Sequence, residues 1–303
     1  MKRDLLSFAL WTREQLAEVF DLSRRLKALE LSDFRPLHGK AAALVFEKES
    51  LRTRVAFEVG VSQLGGHPIF LQQEAIGLAT RESVHDIGQV LSQYAHLIVA
   101  RTVRHQTCVQ LAQSSSVPVI NAMTDLLHPC QILADVFTLQ ELGKFSPSTK
   151  IVFVGDGNNI VNSWLELAAI IPVHLVISSP EGYEPHPQIL EETRASNVSR
   201  IELMGDPVRA VKDADVVYTD VWPEVRGGAD VGKRIKAFKA YQVNKGLLKN
   251  ARPDCTIMHR LPANRGEEIT SDILDGRQSV VLQQAANRVH VQKGVIGYLL
   301  KGT

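Results

Sequence analysis

The chain has 303 residues, 45% hydrophobic and 22% charged, with 34 basic and 33 acidic side chains and a formal charge of +1. That length supports two α/β domains with their own cores, and the balanced charge leaves no whole-protein field for nucleic acid or an anionic membrane. Three cysteines without paired metal-ligand spacing, no run near the roughly 20 apolar residues of a membrane span and no signal-peptide pattern give the expectation of a cytoplasmic protein without a disulfide framework.

Thr12, with Gln15 three residues on, marks a helix start, and Leu16, Val19, Phe20 and Leu26 recur on one face of that helix. Apolar runs at 41–46, 68–71, 96–100 and 117–120 read as strands in the first half. Runs at 150–154, 173–178, 200–203, 215–219, 255–258 and 279–282 read as strands in the second. They are rich in Val, Ile and Leu and lack strict alternation, as expected of strands covered on both faces. Helical patterns lie between them. The fold class expected is therefore α/β, with two doubly wound domains, each a mainly parallel sheet flanked by helices. The polar stretch Lys144-Phe145-Ser146-Pro147-Ser148-Thr149 sets a boundary, giving domains 1–143 and 144–283. A helical pattern at 284–301 is long enough to pack back across the first domain, which residues 284–303 would complete.

In open α/β sheets ligands bind beyond the C-terminal ends of the strands. Those ends carry Ser50-Leu51-Arg52-Thr53-Arg54, Arg101, Asn121 with His128-Pro129-Cys130-Gln131, Gly155-Asp156-Gly157-Asn158-Asn159, Asp220-Val221-Trp222 and His259-Arg260-Leu261-Pro262. Ser50 to Arg54 sits where a strand hands over to a helix, whose N-terminal N–H groups favour an anion, and arginine adds a fork of donors matched to phosphate oxygens. Arg52, Arg54 and Arg101 supply fixed positive charge, and Ser50 and Thr53 supply short donors. His128 and Gln131 can donate to a carbonyl oxygen, and Pro129 fits the first turn of the following helix. Asn159 and Asp220, an amide and a carboxylate, can hold the two ends of a free amino acid. The Gly-x-Gly at 155–157 is not a dinucleotide fingerprint, because Ile160 stands where the third glycine is required. A P-loop, a nucleophile elbow and a zinc cluster are all missing from the sequence.

These landmarks, in order and over nearly the whole chain, resemble the aspartate/ornithine carbamoyltransferase family. Phe46-Glu47-Lys48-Glu49-Ser50-Leu51-Arg52-Thr53-Arg54 is similar to the family's Phe-x-Lys-x-Ser-Thr-Arg-Thr-Arg. His128 to Gln131, Gly155 to Asn159, Asp220 to Trp222, His259 to Ala263 and Asn287-Arg288 match further motifs. The resemblance implies transfer of the carbamoyl group of carbamoyl phosphate to the δ-amine of ornithine, giving citrulline and phosphate in arginine biosynthesis. It implies a carbamoyl phosphate-binding first domain, an amino-acid-binding second domain, a homotrimer or multiple of trimers, and no metal or organic cofactor. Carried over residue by residue, it puts Ser50, Leu51, Arg52, Thr53, Arg54, Gly77, Arg101, His128, Gln131, Leu261 and Arg288 on carbamoyl phosphate. Asn159, Asp220, Glu224, Val225 and Arg260 fall on ornithine, and Arg101, His128, Gln131 and Arg260 on catalysis.

Four positions depart from the family pattern. Leu51 replaces a threonine, Gly77 a glutamine, the run Pro223-Glu224-Val225-Arg226-Gly227-Gly228 a Ser-Met-Gly loop, and Arg260 a cysteine. An unpaired guanidinium at 260 would repel a protonated acceptor. Pairing of Arg260 with Glu224 is the expected remedy. A carbamoyltransferase for another amine and a non-catalytic carbamoyl phosphate-binding relative are the competing readings.

Overall fold

The computed structural model describes residues 2–31, 33–222 and 231–301, with the side chains of Val231 and Arg234 left aside. The chain forms two compact units, residues 1–137 with 286–303, and residues 138–285.

In the first unit the order is α1 (Arg13–Lys27), β1 (Ala41–Phe46), α2 (Leu51–Gln63), β2 (His67–Gln72), α3 (Gln73–Ile76), α4 (Val84–Tyr94), β3 (Leu97–Arg101), α5 (His105–Ser114) and β4 (Val119–Met123), followed by α6 (Pro129–Glu141). Thr12 and Gln15 close α1 with the expected reciprocal cap: Thr12 Oγ1 accepts from the Gln15 N–H and Gln15 Oε1 from the Thr12 N–H. The sheet order is β2-β1-β3-β4, all parallel. β1 and β3 are buried almost throughout. Ala43, Val45, Ile98 and Ala100 pack with Val84, Ile87, Cys108 and Leu111 from α4 and α5.

The second unit contains β5 (Lys150–Val154), α7 (Asn159–Ala168), β6 (His174–Ser178), α8 (Pro187–Ala195), β7 (Arg200–Leu203), α9 (Pro207–Ala210), β8 (Val216–Thr219), α10 (Val231–Phe238), α11 (Lys245–Leu248), β9 (Thr256–Met258) and α12 (Ser271–Leu274), then α13 (Val281–Leu299). The sheet order is β7-β6-β5-β8-β9, again parallel. Val152, Val154, Val176, Val217 and Ile257 pack with Trp222, Phe238, Tyr241 and Val243. Phe153 and Tyr218, register partners on β5 and β8, stack with centroids 5.6 Å apart.

The expected strand at 279–282 is not formed. Ser279 makes one bridge to Ile257, and Val281 already opens α13. Three apolar residues after Ser279 suit a strand or a buried first helical turn equally, and the 19-residue helix decides it. The end of α13 packs on the first unit as expected. A Cβ at Gly294 would lie 2.1 Å from Ser23 Oγ and 2.9 Å from the Val19 carbonyl oxygen, so glycine lets α13 approach α1. Trp11 and Tyr298 add a ring contact at 5.3 Å.

Both sheets have a switch point, where successive connections leave in opposite directions. In the first it lies between β1 and β3, in the second between β5 and β8. Ligand crevices of open α/β sheets form at such points, and most of the motif residues follow these four strands.

Candidate active site

In the first unit, register places Arg101 beside Phe46, so the end of β3 adjoins the loop that leads to α2. Ser50 is the N-cap of α2, and its Oγ accepts from the Thr53 N–H at 3.2 Å. The first turn of α2 contains no acidic residue and two arginines. A helix start normally gains from a carboxylate, and this one is left to an external anion. Thr53 is buried, and its Oγ1 accepts from Arg288 Nη2 on α13 at 2.7 Å. Arg54 donates through Nε to Glu58 at 3.0 Å and lies over the Phe70 ring at 3.7 Å. Whatever it gives an anion must come from its terminal nitrogens. Arg101 donates through Nη1 to Met123 Sδ at 3.1 Å.

His128 is buried immediately before α6, and its carbonyl accepts from the Gln131 N–H at 3.1 Å. Gln131 is also buried, and its Nε2 donates to Asp135 Oδ1 at 2.8 Å. One of the two amide hydrogens expected to face a ligand is thus held by the helix's own carboxylate. Cys130 is a packing residue: its Sγ–H donates to the Asn121 carbonyl at 3.4 Å, and burial pushes the thiol up to about 12. Leu51 is exposed on the first turn of α2. Gly77 ends α3 in the left-handed region at φ 62°, where a Cβ would stand 2.6 Å from Arg81 Cβ. The missing glutamine therefore has no room in this turn, and Gly77 can offer a ligand only its backbone.

In the second unit, β5 ends in Val154 beside Thr219 of β8, which brings the Gly155–Asn159 turn alongside Asp220. A Cβ at Gly157 would fall 2.3 Å from the Glu184 carbonyl carbon, so the tight turn requires glycine. Asn158 caps α7: its Oδ1 accepts from the Ile160 N–H at 2.9 Å while its Nδ2 donates to Asp220 Oδ2 at 2.8 Å. Asn159, the first residue of α7, is buried beside it. Asp220 is only 1% exposed. Its Oδ2 also accepts from Arg260 Nε at 2.7 Å. Burial, and after it the Asp220 charge, pushes the Asp156 carboxyl up to about 7.

The remaining turn is built on a buried pair. The Leu261 N–H donates to His259 Nδ1 at 2.9 Å, which puts the ring proton on Nε2, facing Glu268 Oε1 at 3.2 Å. Glu268 Oε1 accepts also from the Asn264 N–H at 2.6 Å, and Gln284 Oε1 accepts from the His259 N–H at 3.0 Å. Leu261 itself is held at φ 57°.

The structure thus adds a partner that the sequence reading did not expect. Arg260 is not left unpaired against an entering ammonium; it is bound to Asp220, the carboxylate expected to receive that ammonium. Glu224 and Val225, and with them the expected Arg260–Glu224 pair, lie outside the described residues. Three functional groups were missed by sequence reasoning: Asn158, Asp156 and the His259–Glu268 pair. The first two lie inside a motif already singled out, but the strand-to-helix turn, invisible in the sequence, decides which amide reaches Asp220. Glu268, nine residues past His259, carries no local signal at all.

Comparison with known proteins fits both halves. Residues 3–141 match the family described as aspartate/ornithine carbamoyltransferase, carbamoyl-P binding domain, and residues 148–299 match its Asp/Orn binding domain. The chain belongs to the aspartate/ornithine carbamoyltransferase family. The ornithine carbamoyltransferase of Chlorobaculum tepidum is 46% identical over 99% of this chain and 90% of its own length. That of Syntrophus aciditrophicus is 45% identical over 99% of this chain and all of its own length. The solved structure of the Pyrococcus furiosus ornithine carbamoyltransferase superposes with a TM-score of 0.94 at 41% identity, covering 100% of this chain and 98% of that one. Among the described residues no helix is long and apolar enough to cross a membrane, and no cluster of His, Cys, Asp and Glu could hold a metal.

Proposed function

We propose that this chain transfers the carbamoyl group of carbamoyl phosphate to the δ-amine of L-ornithine, giving L-citrulline and phosphate, as a step of arginine biosynthesis. The observation that carries the reading is the pairing of chemistries at the two switch points: a cationic, carboxylate-free helix start in one unit and a buried carboxylate in the other. Full-length likeness to proteins named ornithine carbamoyltransferase supports the choice of acceptor.

In this reading Ser50, Arg52, Thr53 and the terminal nitrogens of Arg54 hold the phosphate, with backbone groups of Leu51 and Gly77 beside them. Arg101, His128, Gln131 and Arg288 hold the carbamoyl oxygen. The neutral amine attacks the carbamoyl carbon, and negative charge develops on that oxygen. Arg101, Arg288 and a ring N–H of His128 stabilise it, and collapse breaks the carbon–oxygen bond to phosphate, which leaves with the proton lost by the attacking nitrogen. The Thr53–Arg288 bond ties a phosphate-holding residue to a carbamoyl-holding one, so the two groups are set in fixed relation before the donor arrives. Asn159 and Asp220 hold the amino-acid end of ornithine, and the Leu261 carbonyl orients the reacting amine. The His259–Glu268 pair fixes that turn. The assembly is a homotrimer working in the cytoplasm, the first of which light scattering checks directly.

The test is product formation from carbamoyl phosphate with ornithine, putrescine, acetylornithine or aspartate at about pH 8. Strong turnover with ornithine alone supports the reading, and turnover confined to another amine overturns it. Because only the neutral amine attacks, kcat/KM for ornithine should rise with pH, and a profile flat from about pH 6 to 9 counts against chemistry at the amine.

A further inference from the structure

We propose that Asp135 is a positioning residue for donor selection: by holding the Gln131 amide through its nitrogen, it turns Gln131 Oε1 toward the NH2 group of the carbamoyl donor, so that the site takes carbamoyl phosphate and rejects an acyl phosphate lacking that NH2. The inference rests on the reading of Gln131 as a residue that holds the carbamoyl group. Gln131 and Asp135 stand four residues apart on α6, neighbours on a single helix face. Both are buried, at 1% and 0% exposure. Gln131 Nε2 donates to Asp135 Oδ1 at 2.8 Å, and Gln131 Oε1, also buried, receives no hydrogen bond from the described residues. A buried amide oxygen left without a donor is costly. This one belongs to the first turn of α6, three residues after His128, whose ring serves the carbamoyl oxygen in the same reading.

The two ends of a glutamine amide have nearly the same shape, and its neighbours decide which end points where. Asp135 can settle that choice because a carboxylate accepts hydrogen bonds and gives none. It draws Nε2 to itself, and the amide keeps one N–H and the whole of Oε1 for a ligand. Ionised phosphate oxygens and the carbamoyl oxygen are acceptors, so none of them can satisfy Oε1. The NH2 of the donor can. Paired in this way, Gln131 meets the carbamoyl group edge to edge: its remaining N–H donates to the carbamoyl oxygen, and its Oε1 accepts from the carbamoyl nitrogen. With a methyl group in place of that NH2, Oε1 stays buried and unpaired, a loss that discriminates far more sharply than a change of shape. The attacking amine is the other N–H donor brought to the site, and a measurement made without an acceptor separates the two.

The experiment uses two stable analogues of the donor, carbamoylmethylphosphonate and acetonylphosphonate, which differ only in NH2 against CH3. Their affinities are read by calorimetry on the full chain with no acceptor present. The wild-type protein should bind the first at least about thirtyfold more tightly than the second. Q131M and D135A should each lower that ratio at least about tenfold, and the double variant no more than about twofold beyond either, since both remove the same contact. Inorganic phosphate, which lacks the carbamoyl group, should bind every variant within about threefold of wild type. Where D135A fails to fold, D135N fills the same space but can also donate to Oε1, and it should lower the ratio at least about threefold. A wild-type ratio near one, or a ratio that Q131M leaves unmoved, overturns the contact with the NH2 group. A ratio unmoved by D135A or D135N, losses that add in the double variant, or a phosphate affinity that falls along with the ratio overturns the role of Asp135. A wild-type protein that binds neither analogue overturns the carbamoyl phosphate reading itself.

Discussion

The turns after β1 and β5 are the same device carrying opposite charge. Each follows a buried parallel strand at a switch point and ends in a side-chain N-cap, Ser50 on α2 and Asn158 on α7. After β1 the first helical turn is cationic and is joined by Arg288 through Thr53. After β5 the cap is bonded to Asp220, with Asp156 alongside. In the proposed function, one arrangement of strand, turn and side-chain N-cap serves an anion in the first unit and an amino-acid head group in the second. The difference lies in what each cap is bonded to, and in which neighbouring strand supplies the partner.

That contrast can be broken from either side. The largest effect is expected in the first unit. His128→Ala should lower kcat by about 10²–10³-fold, the usual loss for one oxyanion donor, with carbamoyl phosphate still bound in calorimetry. A fall in binding alone, with kcat intact, would remove His128 from the reaction. In the second unit, Asp220→Asn should raise the KM for ornithine by about tenfold or more while the affinity for carbamoyl phosphate holds. Loss of both together would mean that the two switch points do not divide the substrates between them.

The turn geometry itself is tested by Gly157→Ala, whose Cβ would meet backbone 2.3 Å away. Overpacking of this kind costs about 1–3 kcal/mol, read as a lower urea midpoint with an unchanged slope. Asp156→Asn sharpens the electrostatic half of the comparison. Burial pushes the folded carboxyl up to about 7, against an ordinary value of 3.8. The folded state therefore binds the extra proton between those values, and wild-type stability falls as pH rises through that window. Its contribution is fully present below the unfolded value and lost once pH passes the folded one. The asparagine variant lacks this slope, so it should gain on wild type from pH 4 to pH 8 by at most about 1.4 kcal/mol per unit of pH in the window. Parallel stability curves would show that Asp156 is ionised throughout.

Much of this organisation was legible in the residues because it is written locally. Unbroken Val/Ile/Leu runs marked buried parallel strands, and their C-terminal ends pointed to Ser50, Arg101, Asn159 and Asp220. Thr12 and Gln15 announced the first helix three residues apart. The failures are of two kinds. At Ser279–Leu282 a short apolar run was equally suited to either regular structure. Around Asp220 the decisive partners came from separate strands, 62 residues back at Asn158 and 40 ahead at Arg260. Strand order, which no local pattern records, brings Arg260 to Asp220, and the expected partner Glu224 lies outside the described residues.

The three thiols bring a practical consequence. Cys108, Cys130 and Cys255 are buried, and burial pushes each up to about 12. A folded molecule should therefore ignore alkylating reagents, and each cysteine would react only when its surroundings open. Two of the thiols report on the first unit and the third on the second. Pulse labelling followed by mass spectrometry would then time the opening of each unit separately, with the protein's own cysteines as clocks and no added probe.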